Sequence, residues 1–76
     1  MQAMRNVLAV LAAASTGPGH VVKLTIYLTA GVDPRTAFGA SRCIWGDHPT
    51  AITVMIVAGL ALPGALVEVN AVALIP

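Results

Sequence analysis

Charged residues are scarce in this 76-residue chain. They make up 9% of the sequence and give a net charge of +1, whereas ordinary domains carry about 25% charged residues. The basic residues are scattered, and binding to a phosphate backbone needs them clustered. These residues are Arg5, Lys23, Arg35 and Arg42. The composition therefore argues against a nucleic-acid partner.

Cysteine is nearly absent as well, since Cys43 is the only one. One thiol excludes an internal disulfide framework and fits a reducing compartment, so we expect a cytoplasmic protein. The two histidines, His20 and His48, have neither ligand-like spacing nor a carboxylate cluster beside them. We therefore expect no metal site and no cofactor.

Hydrophobic residues are abundant at 58% of the chain. A domain of this size buries only about 60% of its unfolded surface, so one monomer cannot hide all of them. The excess must enter a membrane or be buried between copies of the chain. The uncharged run 51–67 is interrupted by Gly59, Pro63 and Gly64, which disfavour a spanning helix. We expect no membrane segment and association with other copies.

Hydrophobic periodicity predicts the order helix, strand, helix, strand, strand. The first helix ends before the terminator Thr16-Gly17-Pro18-Gly19, and Asp33-Pro34 supplies an N-cap and first-turn proline for the second. The central stretch alternates, with Val22, Leu24, Ile26 and Leu28 predicted on one face. The predicted elements cover residues 2–14, 21–29, 34–46, 50–58 and 66–75.

These elements predict a single α+β domain over residues 1–76, a two-layer sandwich with both helices on one face of the sheet. The strand at 50–58 is apolar on both faces, which is typical of a central or interfacial strand. We expect the last strand to pair with it through the 60–65 connection. The other sheet face would stay partly apolar, as at an interface between copies.

Glu68 is a lone carboxylate in the apolar run of the last strand. Burying such a charge is costly unless it meets a partner or its pKa changes, which invites a functional interpretation. The alternative is that Glu68 simply faces water on a half-buried strand. Spacing alone leaves both open.

Four segments in order resemble the Rid family (the RidA/YjgF/L-PSP group). Arg5-Asn6-Val7-Leu8 resembles part of the first helix of the family, and residues 21–29 resemble its "VVKTTVYLTD" strand. Residues 45–49 resemble the turn before the substrate-binding strand, and residues 62–69 resemble the closing "LPxGALVEIEA" strand. The resemblance implies a chorismate-mutase-like fold with a mixed sheet and a homotrimer with clefts between subunits. It also implies hydrolysis of reactive enamines and imines, such as 2-aminoacrylate, to 2-keto acids and ammonia.

The chain departs from the family pattern in three places. Family members begin with a β-hairpin and a further strand that carry a tyrosine and an "SGQ" turn, so the resemblance covers the C-terminal two-thirds only and the N-terminal hairpin is expected to be missing. The substrate-binding arginine of "PARSxVEV" aligns with Ile52, and a helix asparagine near the cleft aligns with Phe38. Glu68 matches the glutamate that positions the hydrolytic water. The resemblance thus implies Glu68 as the catalytic residue and Ile52, Phe38 and Val54 as substrate-binding residues.

Two functions follow from this pattern. The first is a Rid-like hydrolase of small imines or enamines in which Glu68 positions water. Deamination of 2-aminoacrylate itself is not expected, because isoleucine at position 52 cannot grip a carboxylate. The alternative is a non-catalytic homotrimeric module that binds a small molecule in a cleft between subunits.

Overall fold

The structure, a computed structural model, describes residues 2–76. Its helices are α1 (Gln2–Ala13) and α2 (Pro34–Trp45), and a short 3-10 helix occupies Pro18–His20. Its strands are β1 (Val21–Thr29), β2 (Ala51–Val57) and β3 (Val67–Ala73). The predicted order of helices and strands is confirmed; β1 has the predicted bounds, and the ends of the other elements differ from the prediction by at most two residues.

Local contacts set the start of α2 and the end of α1. Asp33 caps α2, because its carboxylate accepts hydrogen bonds from the Arg35 backbone N–H at 3.2 Å and the Thr36 hydroxyl at 2.8 Å. After α1, Ser15 takes a positive φ of 61°. The N–H of Thr16 then donates to the carbonyl of Leu11 at 2.9 Å, which is the Schellman arrangement.

The sheet is mixed and has the order β2-β1-β3. β2 runs parallel to β1, and β3 runs antiparallel to it. The expectation that the last strand pairs with the preceding one is wrong, and so is a central place for residues 50–58. A crossover through α2 sets β2 parallel beside β1, and the 58–66 connection then carries the chain to the other edge of β1. The central strand is therefore β1.

The helices cover one face of this sheet. Met4 and Leu11 of α1 and Trp45 of α2 form a core with Leu24 of β1. Ala37 of α2 packs in a second cluster with two further residues of β1, Ile26 and Leu28. The two-layer α+β sandwich is confirmed. Val22 was expected inside, but an irregularity in the pairing of β1 at residues 21–23 leaves it half exposed and buries Val21 instead.

The second sheet face is not covered by the residues described. Paired residues share a face, so Tyr27 of β1 lies on this open face between Met55 of β2 and Glu68 of β3. On the helix side, β2 extends beyond the helices and its apolar residues stay partly exposed. Within residues 2–76 no helix is long and apolar enough to cross a membrane.

Candidate functional site

A pocket of about 250 Å³ lies where α2, the following loop and β2 meet. It brings together Phe38 and Ile52, two of the three residues that the sequence resemblance assigns to the substrate. Both side chains are partly exposed, at 36% and 39%, so they form an accessible apolar wall. The remaining lining residues are Ser41, Arg42, Trp45, Gly46, Asp47, His48, Pro49 and Thr50.

A short chain of hydrogen bonds holds the loop that closes this pocket. Gly46 ends α2 with a φ of 81°, and its N–H donates to the carbonyl of Arg42 at 2.9 Å. The buried indole N–H of Trp45 donates to the Thr50 hydroxyl at 3.3 Å, and that hydroxyl donates to the carbonyl of His48 at 3.3 Å. The His48 ring also meets Trp45 edge to face, with centroids 6.2 Å apart. The loop is thus tied to the core through Trp45.

The polar groups of the pocket lie on α2 and the loop. Ser41 is buried and its hydroxyl donates to the carbonyl of Phe38 at 2.8 Å, so it is already satisfied. The guanidinium of Arg42 contacts the carboxylate of Asp47 at 3.4 Å, and both side chains are largely exposed. An apolar wall beside an exposed cation suits a small ligand that has both an apolar and an anionic part.

Arg42 was not among the residues expected at this site. A signal for it was present, because Arg42 follows Phe38 by four positions and residues four apart share a helix face. Once Phe38 is placed at the cleft, the helical spacing brings Arg42 there as well. The family resemblance points to position 52, and it does not identify Arg42.

Val54 does not line the pocket. It lies two residues beyond Ile52 on the same side of β2, in register with Ile26, and is 39% exposed. The structure therefore places Ile52 and Phe38 together and leaves Val54 beside them on the exposed strand.

Glu68 lies far from Ile52 within one chain. It is exposed on the open face of the sheet, opposite Tyr27, whereas Ile52 is in register with Leu24 and points to the helix side. The two residues are two strands apart and three positions apart along β1, which puts their Cα atoms about 14 Å from each other. Glu68 borders a separate groove of about 480 Å³ between α1 and β3. One chain alone cannot place both side chains on one small ligand.

Metal-binding side chains are dispersed. Among residues 2–76, no group of three His, Cys, Asp or Glu residues is placed to hold a metal ion. The chemistry that the described residues offer is therefore that of a carboxylate, a guanidinium and an imidazole on an apolar surface.

Comparison with known proteins identifies relatives along nearly the whole chain. The family model for endoribonuclease L-PSP matches residues 1–75. A protein from Entamoeba histolytica, described as a candidate endoribonuclease L-PSP, is 34% identical, with a TM-score of 0.81 and alignment over 95% of this chain and 57% of that one. YyfB from Yersinia pestis, a Rid-family protein of unknown function, is 30% identical, with a TM-score of 0.77 and coverage of 95% and 56%.

A third solved structure, yeast YEO7, is 30% identical, with a TM-score of 0.79 and coverage of 95% of this chain and 57% of that one. The chain thus spans slightly more than half the length of these relatives. No functionally curated protein matches it. The Rid-type α+β fold, compatible with a chorismate-mutase-like fold, is confirmed. The chain belongs to the endoribonuclease L-PSP family, which contains the Rid and YjgF proteins.

Proposed function

We propose that this protein is a Rid-like hydrolase of small reactive imines or enamines. The ligand would occupy the pocket between α2 and β2, and Glu68 of another copy would position the water. The observation that carries the proposal is that Phe38 and Ile52 line one accessible pocket. Both were assigned to the substrate from the sequence resemblance, and the fold brings them together from separate elements.

The reaction needs one carboxylate and one water. Glu68 accepts one proton of the water as the water oxygen bonds to the carbon of the C=N group, and the imine nitrogen takes up a proton from solvent. Glu68 then returns its proton to the nitrogen of the resulting carbinolamine. The C–N bond breaks, ammonia leaves, and the hydroxyl group releases its proton to solvent as it becomes a keto group. A general base or acid of this kind contributes about 10²- to 10⁴-fold to a rate.

The site requires a second copy of the chain. Glu68 and Ile52 lie on opposite faces of the sheet and about 14 Å apart by strand geometry, so a small imine cannot touch both in one chain. The open face also exposes apolar side chains, among them Met55 at 47% and Val72 at 55%. Association through this face, as in the homotrimer that the family resemblance implies, would bury these residues and bring Glu68 to a neighbouring chain.

Ile52 determines which imines fit. An arginine at this position would bind a substrate carboxylate by charge-assisted hydrogen bonds worth about 1.5–3 kcal/mol, and isoleucine provides none. The three-carbon 2-aminoacrylate has little apolar surface to compensate for this loss. A substrate with a larger apolar side chain gains contact with Phe38 and Ile52. We therefore assign the protein to imines with an apolar side chain rather than to 2-aminoacrylate.

The test is the release of 2-keto acid from imines generated in the assay. An amino-acid oxidase acting on L-leucine supplies an imine with a branched side chain, and the rate is compared with spontaneous hydrolysis. The wild-type protein should accelerate release and Glu68→Gln should not. Asn70→Ala is the matched control, because Asn70 lies two residues along the same exposed face of β3. Equal loss of activity in both variants would overturn the role of Glu68.

The non-catalytic binding module is favoured by one observation. Within residues 2–76, none of the side-chain hydrogen bonds involves Glu68, so nothing in one chain holds its carboxylate in place. A protein that binds the keto acid in the α2–β2 pocket without accelerating imine hydrolysis would establish this second function. The ribonuclease activity in the family's name finds no support in the charge distribution, because the four basic residues are spread over α1, β1 and α2 and form no cluster of the kind that binds a phosphate backbone.

A further inference from the structure

We propose that Arg42 binds the carboxylate of the ligand. In this chain it would take the role of the substrate-binding arginine that the resemblance aligns with Ile52. The pocket would then take 2-imino acids with a bulky apolar side chain. This inference rests on the proposed function in one respect, namely that the ligand occupies the pocket between α2 and β2. It does not depend on catalysis by Glu68.

Arg42 is placed in this pocket by the helix. It lies one helical turn after Phe38, and both residues line the pocket that Ile52 borders from β2. The backbone at this point is held, because the carbonyl of Arg42 accepts the hydrogen bond from Gly46 that ends α2. The side chain of Arg42 therefore extends from a fixed backbone position next to the apolar wall.

The present partner of Arg42 is weak enough to be replaced. A single guanidinium nitrogen contacts one oxygen of Asp47 at 3.4 Å, and the two side chains are 64% and 96% exposed. Ion pairs of this kind add little to stability. A ligand carboxylate can instead accept two parallel N–H donors from the guanidinium, which is the stronger arrangement. Besides Arg42 and Asp47, the titratable residue that lines the pocket is His48.

The arrangement selects for the shape of the ligand. When the carboxylate lies at Arg42, the rest of the molecule extends along Phe38 and Ile52. A volume of about 250 Å³ leaves room for a branched side chain there. A ligand without such a side chain would leave the apolar wall in contact with water. Charge and apolar contact therefore act on different parts of the same ligand.

Binding of a stable product tests this directly. The probe is 4-methyl-2-oxopentanoate, the keto acid formed from the leucine-derived imine, and its uncharged methyl ester serves as the control ligand. Affinity is measured by titration calorimetry. Arg42→Gln should weaken binding of the acid about fivefold or more. This factor is the effect of losing a charge-assisted hydrogen bond, reduced because solvent weakens such a bond at an exposed site. Binding of the ester should not change, and Arg42→Lys should lie between the wild type and Arg42→Gln.

The matched control is Arg35→Gln, because Arg35 is an exposed cation on the same helix that does not line the pocket. It should leave the affinity unchanged. Asp47→Asn removes the competing carboxylate and should tighten binding of the acid severalfold. Equal effects of Arg42→Gln and Arg35→Gln, or an ester that binds as tightly as the acid, would overturn the proposal. If Arg42 behaves as expected and Glu68→Gln leaves imine hydrolysis unchanged, the ligand site stands and only the hydrolase proposal fails.

Discussion

Replacing Ile52 by Arg should change which imine the protein hydrolyses. The variant places a guanidinium beside Phe38 in the pocket wall, at the position that the sequence resemblance aligns with the arginine of "PARSxVEV". A carboxylate bound there gains up to about 1.5–3 kcal/mol, and partial exposure of the site reduces the gain to about 1 kcal/mol. Added to the pairing proposed at Arg42, this gain should raise the hydrolysis of 2-aminoacrylate by roughly fivefold, since 1.4 kcal/mol corresponds to tenfold.

The substitution should leave the fold intact. Full burial of an isoleucine side chain stabilises a fold by roughly 2 kcal/mol. Ile52 is 39% exposed, so the substitution can remove at most about 60% of this stabilisation. The aliphatic part of arginine recovers a share of it by lying along the same apolar surface. The expected loss in the free energy of unfolding is therefore below about 1 kcal/mol, as measured by urea denaturation.

The assay is the release of pyruvate from 2-aminoacrylate generated in place. Ile56→Arg is the matched control, because Ile56 lies on the same strand and the same side but does not line the pocket. Adding Glu68→Ala to Ile52→Arg should abolish the gain. The same gain from Ile56→Arg, or a gain that survives loss of Glu68, would refute the reasoning.

Two further substitutions test the support of the site and the proposed interface. Thr50→Val leaves the buried indole N–H of Trp45 without its acceptor and should lower the free energy of unfolding, measured by urea denaturation, by about 1 kcal/mol. The control Thr53→Val, at an exposed position, should have little effect. Equal effects of the two substitutions would count against the role of the loop. Met55→Glu places a charge on the open sheet face and should dissociate the oligomer in sedimentation equilibrium. Ile56→Glu, on the opposite face of β2, is its control, and an oligomer that withstands Met55→Glu would place the interface elsewhere.

Local sequence signals predicted the elements of this fold well. Asp33-Pro34 and the glycine at position 46 delimit α2 as expected, and alternation in β1 identifies the buried residues Leu24, Ile26 and Leu28. These signals act within a few residues. The pairing of β3 with β1 depends on which strand edge remains free after the crossover, and periodicity carries no such information. The error over strand order follows from this difference.

The candidate site was predictable only where a residue aligns with a family position. Phe38 and Ile52 were identified in this way, and the fold brings them together. Arg42 was not aligned with a family position, and only its spacing of four residues from Phe38 indicated that it shares the same helix face. The location of Glu68 on the opposite sheet face depends on the register of β3 with β1. That register is not encoded in local spacing.

Complementation between two inactive variants tests the central claim that the site is shared between copies. Glu68→Gln keeps the pocket, and Ile52→Trp blocks the pocket but keeps Glu68. If both variants are unfolded together and refolded as a mixture, about one quarter of the sites in a random homo-oligomer combine an open pocket with an intact Glu68. Keto-acid release from the leucine-derived imine should then recover to about one quarter of the wild-type rate. A mixture as inactive as its two components, although assembled into the same oligomer, would contradict the account.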